Sequence, residues 1–270
     1  MTQPLDQPEA GLPSARGGPA HPPSIASVSR GARILLMKLK HAYSHRARKR
    51  RATVFRRLFP DAMKQSILDL GGGDGSHIAM VVPGHRNVTI ADIDRGKLDL
   101  ARFRYAHKSR VLTESERLPF HDREFDIVFC SSVIEHITGP KEVVGEIRST
   151  RVFETRATLH QHRFAEEVRR IGKSYFVQTP YKYFPIESHT SAPGFVILLP
   201  RSAQLEIWKR WPFYNHVPDF NLLTVRDMQR FFPDAEIHLE SEFGFTKSIM
   251  AVRRIEDGNG VTVGTRPADG

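Results

Sequence analysis

Short apolar runs alternate with helix-period patterns through the middle of this chain. Ser66–Leu70 reads as a first strand, and Ser76–Val82 as a helix stopped by Pro83-Gly84. Asn87–Ile93 is a second strand. Arg95–Tyr105 is a helix with Leu98, Ala101 and Tyr105 on its inward side, and Ser109–Leu112 is a short third strand. Phe125–Ser131 is a fourth, and its nearly unbroken apolar run (Phe125, Ile127, Val128, Phe129) fits a strand covered on both faces of a parallel sheet. Ser174–Gln178 is the fifth. Glu236–Phe243 and Thr246–Val252 then form a hairpin around Gly244. The alternation predicts an α/β fold: a doubly wound, mostly parallel sheet in a three-layer α/β/α arrangement, ended by a C-terminal antiparallel hairpin.

Two helical patterns, Lys141–Arg148 and Phe164–Ile171, stand between the fourth and fifth strands, where one crossover helix would suffice. The stretch between them, 149–162, has no clear period and reads as an insertion. Residues 181–223 are irregular and aromatic, and read as a substrate-cap insertion. Thr224 with Asp227 imitates a capping box and starts a helix that runs to Phe232, before Pro233. The predicted organisation is a disordered tail over 1–28, a basic N-terminal helix over 29–60, a main domain over 61–255 and a frayed tail over 256–270. The first tail is rich in Pro, Gly, Ser and Gln, with too few large apolar residues to offset its ordering entropy.

Composition sharpens this picture in two places. The net charge of +10 is local: no acid occurs between Glu9 and Asp61, while twelve Lys or Arg residues do. The helix carrying eleven of them has three readings: a solvated helix packed on the sheet, a peripheral contact with an anionic membrane surface, or a phosphate contact. The single cysteine, Cys130, excludes an internal disulfide and a Cys-x-x-Cys metal pair. No secretory start and no run long enough to span a bilayer is read, so a cytoplasmic protein is expected. No metal site is expected.

The chemistry concentrates in Ile67-Leu68-Asp69-Leu70-Gly71-Gly72-Gly73-Asp74-Gly75-Ser76. A strand that runs through a glycine turn into a helix lets backbone approach a ligand closely, as adenine-containing cofactors require. A dinucleotide fingerprint starting at Gly71 would need its third glycine where Ser76 stands, which disfavours a nicotinamide cofactor.

Residues 66–137 resemble a class I S-adenosylmethionine-dependent methyltransferase with a Rossmann-like fold, of the small-molecule (type 11-like) group. The resemblance rests on Asp69–Gly75, Val88–Asp94, Glu114–Phe120 and Phe125–Ile137, in that order and spacing. It implies S-adenosyl-L-methionine as cofactor, held by Asp69, Gly71, Gly73, Gly75, Asp92, Ile93, Glu114, Ser115 and Ser131. Asp69 would meet the ammonium of the methionine moiety and Asp92 the ribose hydroxyls, with Asp94 as the rival ribose acid. Glu114 stands where the family usually has Asp at the adenine edge.

The acceptor side is less determined. Strand-end positions place Ser132, His136, Tyr181, Glu187 and His189 near a substrate, with His136 as the general base or a substrate contact. The aromatic segment suits a small-molecule or lipid-like acceptor of apolar or aromatic character. A nucleic-acid methyltransferase is disfavoured, because the fourth strand's exit lacks an Asn/Asp-Pro-Pro-aromatic motif. The other alternative is a cofactor-binding protein of this fold without catalysis.

Overall fold

The computed structural model describes residues 30–112, 117–186, 193–210 and 219–255, and within 30–41 the side chain of Lys38 alone. The expected tails, and the site candidates Glu114, Ser115, Glu187 and His189, lie outside the described residues. The chain divides into two units, 1–46 and 47–270.

Helix α1 (Arg30–Leu58) leads through a short 3-10 turn to β1 (Ile67–Leu70), α2 (Ser76–Val81), β2 (Val88–Asp92), α3 (Arg95–Tyr105), β3 (Lys108–Val111) and β4 (Phe125–Ser131). There follow α4 (Lys141–Val144), α5 (Thr150–Ile171), β5 (Gly172–Pro180), α6 (Arg201–Arg210), α7 (Val225–Phe231), β6 (Glu236–Glu242) and β7 (Phe245–Arg253). One seven-stranded sheet runs in the order β3-β2-β1-β4-β5-β7-β6. Pairings β1–β2, β1–β4, β2–β3 and β4–β5 are parallel, whereas β7 pairs antiparallel with both β5 and β6. This is the expected doubly wound sheet with its terminal hairpin. The order reverses at β1 and β4, where ligands of such sheets bind beyond the strand ends.

Strand alternation divides the core. Along β4, Val128 and Cys130 face a layer that includes Phe164, Val168 and Ile171 of α5 and Met228 and Phe231 of α7. Ile127 and Phe129 face the opposite layer, with Ala52 and Phe55 of α1, Ile78 of α2 and Leu98 of α3. Phe55 sits edge-on to Phe129 and Phe176, at centroid distances of 5.5 and 5.6 Å. The lower part of the basic helix is therefore core. Arg51 pairs with Glu240 at 3.1 Å and Arg50 with Glu242 at 3.5 Å, so these charges have structural partners.

The structure corrects two expectations. The stretch 149–162 is no insertion. It belongs to α5, a continuous 22-residue helix capped by Ser149, and only Lys141–Val144 of the preceding pattern is helical. The aromatic segment is not wholly irregular either, since it holds a 3-10 turn at Gly194–Leu198 and then α6. The Thr224 capping box is present as expected. No helix among the described residues is long and apolar enough to cross a membrane.

Replacing Phe55, fully buried, by Ala should cost about 3–5 kcal/mol of unfolding free energy. Phe103→Ala, at a site 89% exposed, should change stability by less than about 0.5 kcal/mol. Urea denaturation of both variants checks this, and equal effects would contradict the assignment of α1 to the core.

Candidate active site

The glycine turn closes β1 and delivers the chain into α2. Gly71, Gly73 and Gly75 all take positive φ, at 73°, 55° and 73°. A Cβ on Gly71 would lie 2.4 Å from Val133 Cγ2, so the turn is pressed against the exit of β4. At Gly73 a Cβ would meet only Lys97 Cδ at 3.5 Å and Asp92 Oδ2 at 3.9 Å, leaving a concavity floored by backbone.

Asp69 lies beneath this turn, 2% exposed, and its Oδ2 has no hydrogen-bond partner among the described residues. Burial, then the nearby charge of Asp92, pushes its carboxyl up to about 8, with Arg48 opposing. A buried acceptor without a donor calls for a cationic or donating ligand group. The ammonium of an amino-acid moiety over Gly71–Gly75 is such a group.

Asp92 ends β2 and ties the turn. Its Oδ2 accepts from Gly73 N at 2.9 Å, and its Oδ1 from Asp94 N at 2.9 Å. Each carboxylate oxygen keeps a further lone pair for a ribose hydroxyl. Asp94 is engaged differently: it is the N-cap of α3 and accepts from Lys97 N at 3.1 Å. Asp92 is not engaged in helix capping. Ile93, 54% exposed, flanks the turn with its apolar side chain open to solvent. A glycine cradle, an orphaned buried carboxylate and a second acid at the neighbouring strand end together fit S-adenosylmethionine.

The exit of β4 forms the other wall. Ser132 holds φ of 58°, strained for a residue with a Cβ, and its N donates to Gln178 O at 2.9 Å. The Oγ atoms of Ser131 and Ser132 donate to Gln178 Oε1 at 2.7 and 3.2 Å. Gln178 Nε2 is buried and has no partner among the described residues. Sequence reasoning passed over Gln178.

His136 Nδ1 lies 3.3 Å from Asp219 Oδ1, and Asp219 is also 3.6 Å from Lys141 Nζ. Burial raises the Asp219 carboxyl, but hydrogen bonding and charge from His136, with Lys141, leave it below its ordinary value. A carboxylate there orients the imidazole ring through Nδ1. Asp219 was not foreseen. Its segment is held by Thr138 Oγ1, which donates to Asp219 O at 2.8 Å, and by Asn221 N, which donates to Glu135 O at 2.8 Å. Buried Gln161 completes the clamp by donating to Ile134 O at 3.0 Å and to Asn221 O at 2.8 Å. Phe220, whose ring is edge-on to His136 at 6.3 Å, also lines a cleft with Phe153, Ile197 and Leu222. Tyr181, by contrast, is paired with Tyr183 at 5.6 Å and packs against the core. No group of His, Cys, Asp or Glu among the described residues could hold a metal ion.

Comparison with known proteins bears on this geometry. Residues 68–153 match the family model described as a methyltransferase domain. A demethylmenaquinone methyltransferase of Clavibacter sepedonicus is 31% identical over 86 residues, which are 31% of this chain and 35% of that protein. The chain thus aligns with about a third of that curated relative's length. Similar solved structures include an S-adenosylmethionine-dependent methyltransferase from Clostridium acetobutylicum ATCC 824, at 12% identity over 81% of this chain and 98% of that one, with a TM-score of 0.47. A Pyrococcus horikoshii OT3 protein is 17% identical over 76% of this chain and 90% of its own, with a TM-score of 0.46. Residues 68–153 are thus similar to a methyltransferase domain, and they hold the glycine turn and the first four strands of the sheet.

Proposed function

We propose that the chain transfers a methyl group from S-adenosylmethionine to a small-molecule or lipid-like acceptor with an apolar or aromatic body. One observation carries the acceptor reading: Phe220, edge-on to His136, also lines a cleft whose apolar part is Phe153, Ile197 and Leu222 and whose polar part includes Glu154, Lys182, Arg201 and Gln204. The name of the Clavibacter relative, a demethylmenaquinone methyltransferase, agrees with an apolar acceptor.

The cofactor supplies a methyl group already activated on a sulfonium. What remains for the chain is to bind, align the acceptor in line, exclude water and take up a proton. Asp69 and Asp92 hold the two ends of the donor. Ser131, Ser132 and Gln178 shape the wall between donor and acceptor. His136, oriented by Asp219, removes the acceptor's proton at Nε2. The test is methyl-labelled cofactor supplied with a panel of hydroxylated quinols and phenols and, separately, with nucleic acid. Label should enter the organic-extractable compounds, and His136→Gln should lower kcat by about 10²–10⁴ while leaving S-adenosylhomocysteine affinity within about twofold of wild type. Label in nucleic acid, or an unchanged kcat in the variant, would contradict the reading.

Asp69 gives the site a pH signature. Its folded value of about 8 stands above the ordinary 3.8. Between those values the folded, cofactor-free protein holds a proton that the unfolded chain has lost, so this group makes stability fall as pH rises. His77, whose burial lowers it to about 3, acts oppositely between about 3 and 6.5. The difference between wild type and Asp69→Asn therefore isolates Asp69. The wild-type Tm should drop relative to the variant between pH 5 and pH 8. Bound S-adenosylhomocysteine, whose ammonium favours the ionised carboxylate, should reduce that drop. Parallel Tm profiles without ligand would refute the protonated state of Asp69.

A further inference from the structure

The cofactor's amino-acid end carries a carboxylate beside its ammonium, and no group so far described receives it. Cations near the glycine turn are mostly engaged. Arg104 is 3.1 Å from Asp74, and Lys97 is 3.4 Å from Asp94. Asp69, Asp74 and Asp92 would repel a carboxylate, and buried His77 is neutral.

Helix α1 brings one more cation. Its direction is fixed at two levels. Arg56 Nη1 donates to Met80 O and Val81 O at 3.0 Å each, at the far end of α2. Arg51 meets Glu240, whose Oε2 also accepts from Ser248, and Ser248 registers with Pro180 at the C-terminal end of β5. The helix therefore runs antiparallel to the parallel strands, with earlier residues nearer the ligand-binding ends. Arg48 lies about 4.5 Å further out along the axis than Arg51. It also shares the helix face of Ala52 and Phe55, being four and seven residues before them. That face packs on Phe129, whose ring is 5.2 Å from that of His77, just after the glycine turn. Arg48 thus stands beyond the strand ends on the side of the turn. Its charge is felt at Asp69, Asp74 and His77. Unlike Arg50, Arg51 and Arg56, it has no ion pair or hydrogen bond among the described residues.

We propose that Arg48 is a cofactor-binding residue, its guanidinium receiving the carboxylate of the methionine moiety while Asp69 receives the ammonium. The basic helix thereby closes the donor site with a charge opposite to that of the turn. A planar guanidinium suits a carboxylate because it donates bidentately. This inference rests on the cofactor reading above.

Calorimetric binding of two ligands to the full chain separates the possibilities: S-adenosylhomocysteine, and its decarboxylated analogue, which keeps the amine. Arg48→Met should weaken S-adenosylhomocysteine about tenfold or more. It should leave the decarboxylated analogue as in wild type, and Arg48→Lys should recover part of the loss. Asp69→Asn should weaken both ligands. Unchanged S-adenosylhomocysteine affinity in Arg48→Met, or an equal loss for both ligands, would overturn the role of Arg48. Wild-type protein that binds neither ligand would overturn the cofactor reading and this inference with it.

Discussion

A carboxylate buried under bare backbone is the constraint on which the rest of this molecule turns. Asp69 is enclosed at the end of β1, and its outer oxygen lies where a Cβ on Gly72 would stand, 2.1 Å away. Water cannot solvate it, and among the described residues no donor reaches that oxygen. The site is costly without ligand and favourable with a cation. Gly71 and Gly75 have no room for a side chain either, since a Cβ would lie 2.4 Å from Val133 Cγ2 at the first and 2.7 Å from Ile90 Cδ1 at the second. Asp92 then holds the turn from the side through Gly73 N. The parallel sheet serves this arrangement by bringing the ends of β1, β2 and β4 to one edge.

The two walls of the candidate site are built from different materials. The glycine-turn wall is backbone plus two acids on strands. The wall at the exit of β4 is assembled from side chains that meet across long stretches of chain: His136 with Asp219, Gln161 with Asn221, Ser131 with Gln178. These pairs hold the exit of β4 against the segment before α7. The basic helix joins them through its lower half, where Phe55 packs on the sheet and Arg50 and Arg51 meet acids of the terminal hairpin.

This division explains what could be read without coordinates. The strands, hairpin, glycine turn and Asp92 follow from local patterns: apolar runs, glycines at fixed offsets, an acid closing a strand. That Asp94 caps α3 while Asp92 holds the glycine turn is seen only in the structure. The first part of helix α5 escaped because its buried stripe of Phe153, Ala157, Gln161 and Phe164 has an amide at a core position, which breaks the apolar period. Helix α6 escaped for a similar reason: its buried positions are Arg201, Leu205 and Trp208, and the first is a charged residue stacked 3.6 Å over the ring of Phe153. Asp219 gave no signal, because nothing near it in sequence marks its partner His136, and Gln178 was legible only as the end of the fifth strand.

The central claim is that the turn over Asp69 binds S-adenosylmethionine and not a dinucleotide. Titration calorimetry of the protein with S-adenosylhomocysteine and with NAD tests it most directly. The account predicts one S-adenosylhomocysteine per chain, a loss of about tenfold or more in affinity on Asp92→Ala, and no comparable binding of NAD. Absence of S-adenosylhomocysteine binding, or NAD binding of equal strength, would contradict it.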